Sequence, residues 1–159
     1  MRQTLQEMAV RLRQLHSAAI FCHMRPDGDT LGAAMGLKAM LEQCGVRCSV
    51  VCESAIPQKF FFLPGMEGIG KVPDSGAEAY IAVDCSETHR LGTLSEAFER
   101  AKKVKFNIDH HISNSRYGDY YFVEDRAATC EIVAELASHL GVPMTPLCAN
   151  YLLLGISSD

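Results

Sequence analysis

"IFCHMRPDGDTLGAAMGL", residues 20–37, decides the reading of the fold. An apolar run ends in His23, and Asp27 and Asp29 follow with only Gly28 between them. The run, taken over 18–23, has the length and character of a buried strand. The stretch 30–44, from Thr30 as N-cap to a stop at Gly45, has the apolar spacing of a helix through Leu31, Met35 and Leu37. Between the two, a pair of carboxylates repel each other unless a positive group lies between them or one takes up a proton. The turn therefore has to find a countercharge or recruit one.

The same alternation runs outward in both directions. Upstream, 2–15 reads as an amphipathic helix. Downstream come a strand at 46–52, a strand at 79–85, a helix at 94–102, a strand at 104–111, and helices at 127–140 and 145–154 closed by Gly141 and Gly155. Residues 53–77 are broken into turns by Pro57, Pro64 and Pro73 around "KFFFL" (59–63). Strands separated by helices predict one α/β domain, a parallel β-sheet with helices on both faces. Ligands in such sheets gather beyond the carboxyl ends of the strands. Three of these strands run directly into ligand-type residues: His23, then Asp84, then Asp109, His110 and His111.

Composition narrows the class. With 159 residues, 48% hydrophobic and 21% charged, the chain is ordinary for a soluble domain with a real core. No apolar run reaches the roughly 18–20 residues of a bilayer span, and the amino terminus lacks the apolar centre of a signal peptide, so a cytoplasmic protein is expected. The seven cysteines are odd in number and contain no CxxC pair; Cys44, Cys48 and Cys52 read as reduced, packed thiols, not as a zinc site. A net charge of −4 argues against a broad grip on long nucleic acid, and "ERAKKVK" (99–105) reads as a solvated helix end.

One Asp at a strand end is usually a cap, and one His usually a packed or surface residue. That explanation weakens when it must serve several times at one rim, because clustered carboxylates raise one another's pKa and cost stability. Arg25, beside Asp27, is a single guanidinium and cannot neutralise them all. Divalent cations can. His23, Asp27, Asp29, Asp84, His110 and Asp159 together carry four negative charges and two neutral imidazoles, which balances two dications. Carboxylate and imidazole suit manganese, iron or magnesium. A pair of such ions is suited to phosphoester hydrolysis, since it activates water and stabilises charge on phosphoryl oxygens. Gly28 is expected to let a tight loop turn both carboxylates inward. Gly32, Ala33 and Ala34 are expected to seat the helix close to the sheet, and its N-terminus to favour an anion.

"HMRPDGD" (23–29), "VDCSE" (83–87), "NIDHHISN" (107–114) and "LLLGISSD" (152–159) resemble, in order, the four motifs of the DHH phosphoesterase superfamily. The likeness spans about residues 5 to 159 and is nearest to the RecJ-like branch that acts on short oligoribonucleotides (nanoRNase) and 3′-phosphoadenosine 5′-phosphate. By motif position the resemblance implies that His23 and Asp27 bind one Mn²⁺, that Asp29, His110 and Asp159 bind the other, and that Asp84 bridges them. His111 would contact substrate phosphate or assist the leaving group. Asp109 would orient a ligand histidine from behind, as such ligands commonly require. Arg90 and Asn114 would touch phosphate.

Members of that branch carry a second, substrate-binding domain with a glycine- and histidine-rich motif, which these 159 residues lack. The chain is therefore expected to be a catalytic domain, 1–159, ending within the fourth motif. The terminal position of Asp159 predicts a weaker second metal site and poor turnover of nucleotides by this piece alone. The expected partners are short RNA oligonucleotides or small phosphorylated nucleotides, with no membrane, no long DNA, and room for a homodimer. Relatives imply cyclic dinucleotides, pyrophosphate or polyphosphate as other substrates. A metal-dependent binding module without turnover is the reading from another class; a metal-free flavodoxin-like fold lacks a glycine-rich phosphate loop and explains none of the carboxylates.

Overall fold

The structure, a computed structural model, describes residues 1–158. Its elements are α1 (Leu5–Arg13), β1 (Ser17–Phe21), α2 (Gly28–Gln43), β2 (Arg47–Val51), β3 (Ala79–Val83), α3 (Ser95–Arg100), β4 (Val104–Asp109), β5 (Tyr120–Val123), α4 (Thr129–Leu140) and α5 (Pro146–Ser158). Thr4 and Glu7 close α1 with a capping box, and Gly141, in the left-handed region, ends α4 as expected. Short 3-10 turns occupy 58–60, 66–68 and 88–94.

All strand pairings are parallel, in the order β2-β1-β3-β4-β5. The chain first steps from β1 to β2, then returns to the other side of β1 and builds outward through β3, β4 and β5. Crossovers in parallel sheets keep one hand, so reversing the direction of growth changes the face that receives the connecting helix. Accordingly α2 covers one face and α3 the other.

Strand residues divide by parity. Ala18, Ile20, Ile81 and Phe106 point into a core shared with α1, α2, α4 and α5, whereas Ala19, Phe21, Tyr80 and Ala82 meet Leu91, Leu94 and Phe98. On that second face the Phe21 and Phe98 rings meet edge to face at 5.2 Å. Both faces are covered, one by α1, α2 and α4 with α5 packed on α2 and α4, and the other by α3 and its 3-10 turn.

Several local expectations change. β5 was not among the expected elements: it has four residues, lies at the edge of the sheet, and its Tyr120 and Tyr121 are half-buried, so it lacks the continuous apolar run that marks a buried strand. Met1 and Gln3 cover its free edge through backbone bonds to Tyr121. Asp27, not Thr30, caps α2, its carboxylate accepting the Thr30 N–H at 3.0 Å. Gly155 does not close α5, which runs to Ser158.

Gly28 is the first helical residue of α2, and its bareness serves packing against α5: an added Cβ would stand 2.6 Å from Ser158 Oγ. A Cβ on Gly32 would run into the Tyr151 carbonyl oxygen, so this glycine also faces α5 and not the sheet. None of the seven cysteines is joined in a disulfide to another, and all but Cys44 are buried. Among the described residues no helix is long and apolar enough to cross a membrane.

Candidate metal centre

The reversal in strand order falls between β1 and β3. Their carboxyl ends part there, which is the position where open α/β sheets bind ligands. His23 leaves β1, Asp84 leaves β3, and Asp109 ends β4 with His110 and His111 behind it. Asp29 enters from the first turn of α2.

Asp84 stands at the centre. Its Oδ2 is 3.5 Å from His23 Nε2, and its Oδ1 is 3.3 Å from His110 Nε2. His23 Nε2 also lies 3.6 Å from Asp27 Oδ1, and His110 Nε2 lies 3.5 Å from Asp29 Oδ2. These separations exceed ordinary hydrogen bonds. Two donors held at right angles about 2.1 Å from one ion stand about 3 Å apart, so small closing movements would bring each group into coordination.

The donor set passes a second test. His23 Nδ1 meets the Met24 carbonyl at 2.8 Å and His110 Nδ1 meets the Arg126 carbonyl at 2.8 Å. A carbonyl only accepts, so each ring carries its proton on Nδ1 and turns Nε2 toward the carboxylates, the arrangement of metal-binding histidines. His23, Asp27 and Asp84 form one cluster able to hold an ion; Asp84, Asp109, His110 and His111 form another.

Electrostatics express the same crowding. Burial opposes charge on His23, but Asp27 and Asp84 overcome it and hold its pKa up at about 10. Asp84 raises His110 to about 9 against the effect of burial. Burial and the neighbouring Asp84 charge push Asp29 up to about 7, while Asp84, although buried, is held well below the usual carboxylate range by His110 and His23.

Supporting groups come from the start of α4. Both Asp29 oxygens accept backbone N–H bonds of 2.9 Å, from Thr129 and Cys130, and Thr129 Oγ1 donates to Asp84 Oδ1 at 3.0 Å. Sequence reasoning missed Thr129. Its signal was faint: a polar residue opening the helix that follows the strand next to β4.

The remaining expected residues are placed as follows. His111, 43% exposed, directs Nδ1 to Asp109 Oδ1 at 2.7 Å. Asp109 thus orients His111, while His110 takes its orientation from the Arg126 carbonyl. Asn114 is buried and spends both amide hydrogens on Asn107 Oδ1 and Asp109 Oδ2, each at 2.8 Å; it positions Asp109 instead of facing a phosphate. Arg90 is exposed in the 88–94 turn, and its carbonyl accepts the Met24 N–H. Asp159 lies outside the described residues.

The model of the DHH family, N-terminal domain, matches residues 17–156. The chain belongs to the DHH family. Similar proteins include the bifunctional oligoribonuclease and PAP phosphatase NrnA of Thermus thermophilus, 34% identical over 147 residues, covering 88% of this chain and 42% of that protein. NrnA of Mycoplasma genitalium is 28% identical over 152 residues, covering 93% and 48%. An exopolyphosphatase-related protein from Bacteroides fragilis shares the fold with a TM-score of 0.90 at 20% identity, over 98% of this chain and 49% of that one. Exonuclease RecJ bound to manganese aligns with a TM-score of 0.55 at 16% identity, over 95% and 43%. The chain spans about half the length of the curated relatives it matches.

Proposed function

We propose that this DHH domain hydrolyses phosphoesters in short oligoribonucleotides, releasing mononucleotides, and in 3′-phosphoadenosine 5′-phosphate, releasing AMP, as part of a cytoplasmic enzyme. The observation that carries the reading is Asp84, whose two oxygens face two different imidazoles. In this reading His23, Asp27 and Asp84 hold one divalent cation, Mn²⁺ by preference, and Asp84, Asp29 and His110 hold the second together with Asp159. When bound, such a pair would lower the pKa of a coordinated water and offset charge building on phosphoryl oxygens.

The chain's own groups do the rest. The Met24 and Arg126 carbonyls fix the two ligand imidazoles, and the N–H groups of Thr129 and Cys130 fix Asp29. Asp109 accepts the Nδ1 proton of His111, and a second proton on Nε2, in the imidazolium form, would let the ring donate to a phosphoryl oxygen or pass that proton to the departing ribose oxygen, leaving the ring neutral. Asn114 locks Asp109 from the far side. The similarity to NrnA proteins supports the substrate class, and the net charge of −4 favours short substrates over long strands.

The test is Mn²⁺-dependent release of AMP from diadenylate, and of phosphate from 3′-phosphoadenosine 5′-phosphate, by the wild type and by Asp84→Ala. Release by the wild type alone is expected. Nucleotide binding with no release from either protein would instead favour a binding module.

A further inference from the structure

Beside the metal centre lies a cleft of about 440 Å³, within the range of small-molecule sites. Asp27 belongs to both. Pro26, Lys59, Phe62, Leu154 and Ser158 are among its walls, so the cleft runs from the 56%-exposed Asp27 side chain toward the end of α5. Another concavity, about 590 Å³ between Thr4, Phe122 and Arg126, shares none of the site carboxylates.

The "KFFFL" segment explains how the wall is built. Phe60 and Leu63 are buried and anchor the 58–60 turn, and Tyr151 Oη donates to the Pro64 carbonyl. The anchoring therefore needs neither Phe61 nor Phe62, yet Phe62 is 71% exposed on a fixed loop. A rigid exposed aromatic face beside a phosphate-handling centre is suited to stacking a nucleobase, a contact tolerant of base identity. Lys59, exposed on the same wall, supplies the positive charge that a neighbouring phosphate requires.

We propose that this cleft is a nucleotide subsite flanking the scissile phosphate, with Phe62 stacking the base and Lys59 meeting the adjoining phosphate of a short oligoribonucleotide. The proposal deepens the hydrolase reading and rests on it for the substrate class.

The experiment compares Kd values for AMP and ribose 5-phosphate, in Mn²⁺, for the wild type, Phe62→Ala, Phe62→Leu, Phe62→Tyr, Lys59→Ala and the control Val72→Ala, an exposed apolar residue that does not line the cleft. Phe62→Ala and Phe62→Leu are expected to weaken AMP about tenfold and to leave ribose 5-phosphate within twofold, with Phe62→Tyr restoring AMP binding. Lys59→Ala is expected to weaken both ligands, and Val72→Ala neither. The subsite is overturned if Phe62→Ala binds AMP like the wild type, if it loses both ligands equally, or if a wild type that cleaves diadenylate shows no preference for AMP over ribose 5-phosphate. A change in sedimentation on Phe62→Ala with unchanged AMP affinity would assign the wall to self-association and overturn it too. Base-selective binding that depends on Phe62, in a chain that cleaves nothing, would sink the hydrolase reading and keep the subsite. A chain that neither binds nor cleaves sinks both.

Discussion

Asp84 leaves β3 with a φ of 56°, in the left-handed region that non-glycine residues occupy only when the surroundings hold them. From that position one carboxylate reaches both imidazoles, and Thr129 Oγ1 steadies it. Thr129→Val is therefore expected to weaken Mn²⁺ binding by about 10–100-fold, read by titration, with Thr129→Ser restoring most of it. The titrating groups supply a second prediction, for the protein stripped of metal. His23 and His110 have pKa values raised to about 10 and about 9, so the stability they contribute is fully present below their unfolded value near 6.5 and is lost as pH rises through the folded values. Asp29, raised to about 7, ionises near 3.9 when unfolded and so lowers stability as pH climbs between those values. The melting temperature of the stripped protein should fall between pH 6.5 and 10, more gently in His23→Gln. Mn²⁺ affinity should rise over the same window, with protons released on binding at pH 7.5, because the ion displaces them. An affinity independent of pH would contradict the geometry around Asp84.

At the scale of elements, the turn from β5 into α4 matters as much as the strands. Arg126 holds it: the guanidinium meets Glu135 at 2.8 Å and Glu124 at 3.0 Å, and the carbonyl of the same residue accepts the His110 Nδ1 proton. These ion pairs are partly exposed and contribute little to global stability, about 0–1 kcal/mol. Arg126→Ala should accordingly change the melting temperature little while weakening Mn²⁺ binding about tenfold, as expected when the partner orienting a ligand is loosened. A loss of melting temperature with intact affinity would make the clamp structural only. The helices α1, α2 and α4 and the runs at β1, β3 and β4 were legible because periodicity and apolar length are local properties. β5 was not, since it has only four residues, at the sheet edge, and its first two, Tyr120 and Tyr121, are half-buried, so it carries neither signal. The role of Gly32 was misread for a related reason: its neighbour, Tyr151, lies far along the chain, and nothing near α2 announces α5.

Across the whole molecule, two cores of unequal depth enclose the sheet and hold the thiols as packing atoms. Burial raises Cys22, Cys48, Cys52, Cys85 and Cys148, so they are both covered and protonated. A thiol reagent at pH 8 should label Cys44 first and leave the six buried cysteines until denaturant is added; rapid labelling of several would show the cores to be open. The sequence by itself determined the α/β alternation, the parallel sheet, and the ligand-type residues at three strand ends, because each depends on neighbours within one run of chain. The motif resemblance implied a bridging Asp84; only the tertiary structure decided that β1 and β3 lie side by side, that one Asp84 oxygen faces His23 and the other His110, and that Thr129 and Asn114 hold the acidic groups in place. Strand order and the meeting of distant charges are set by packing over the whole fold, so no local pattern records them.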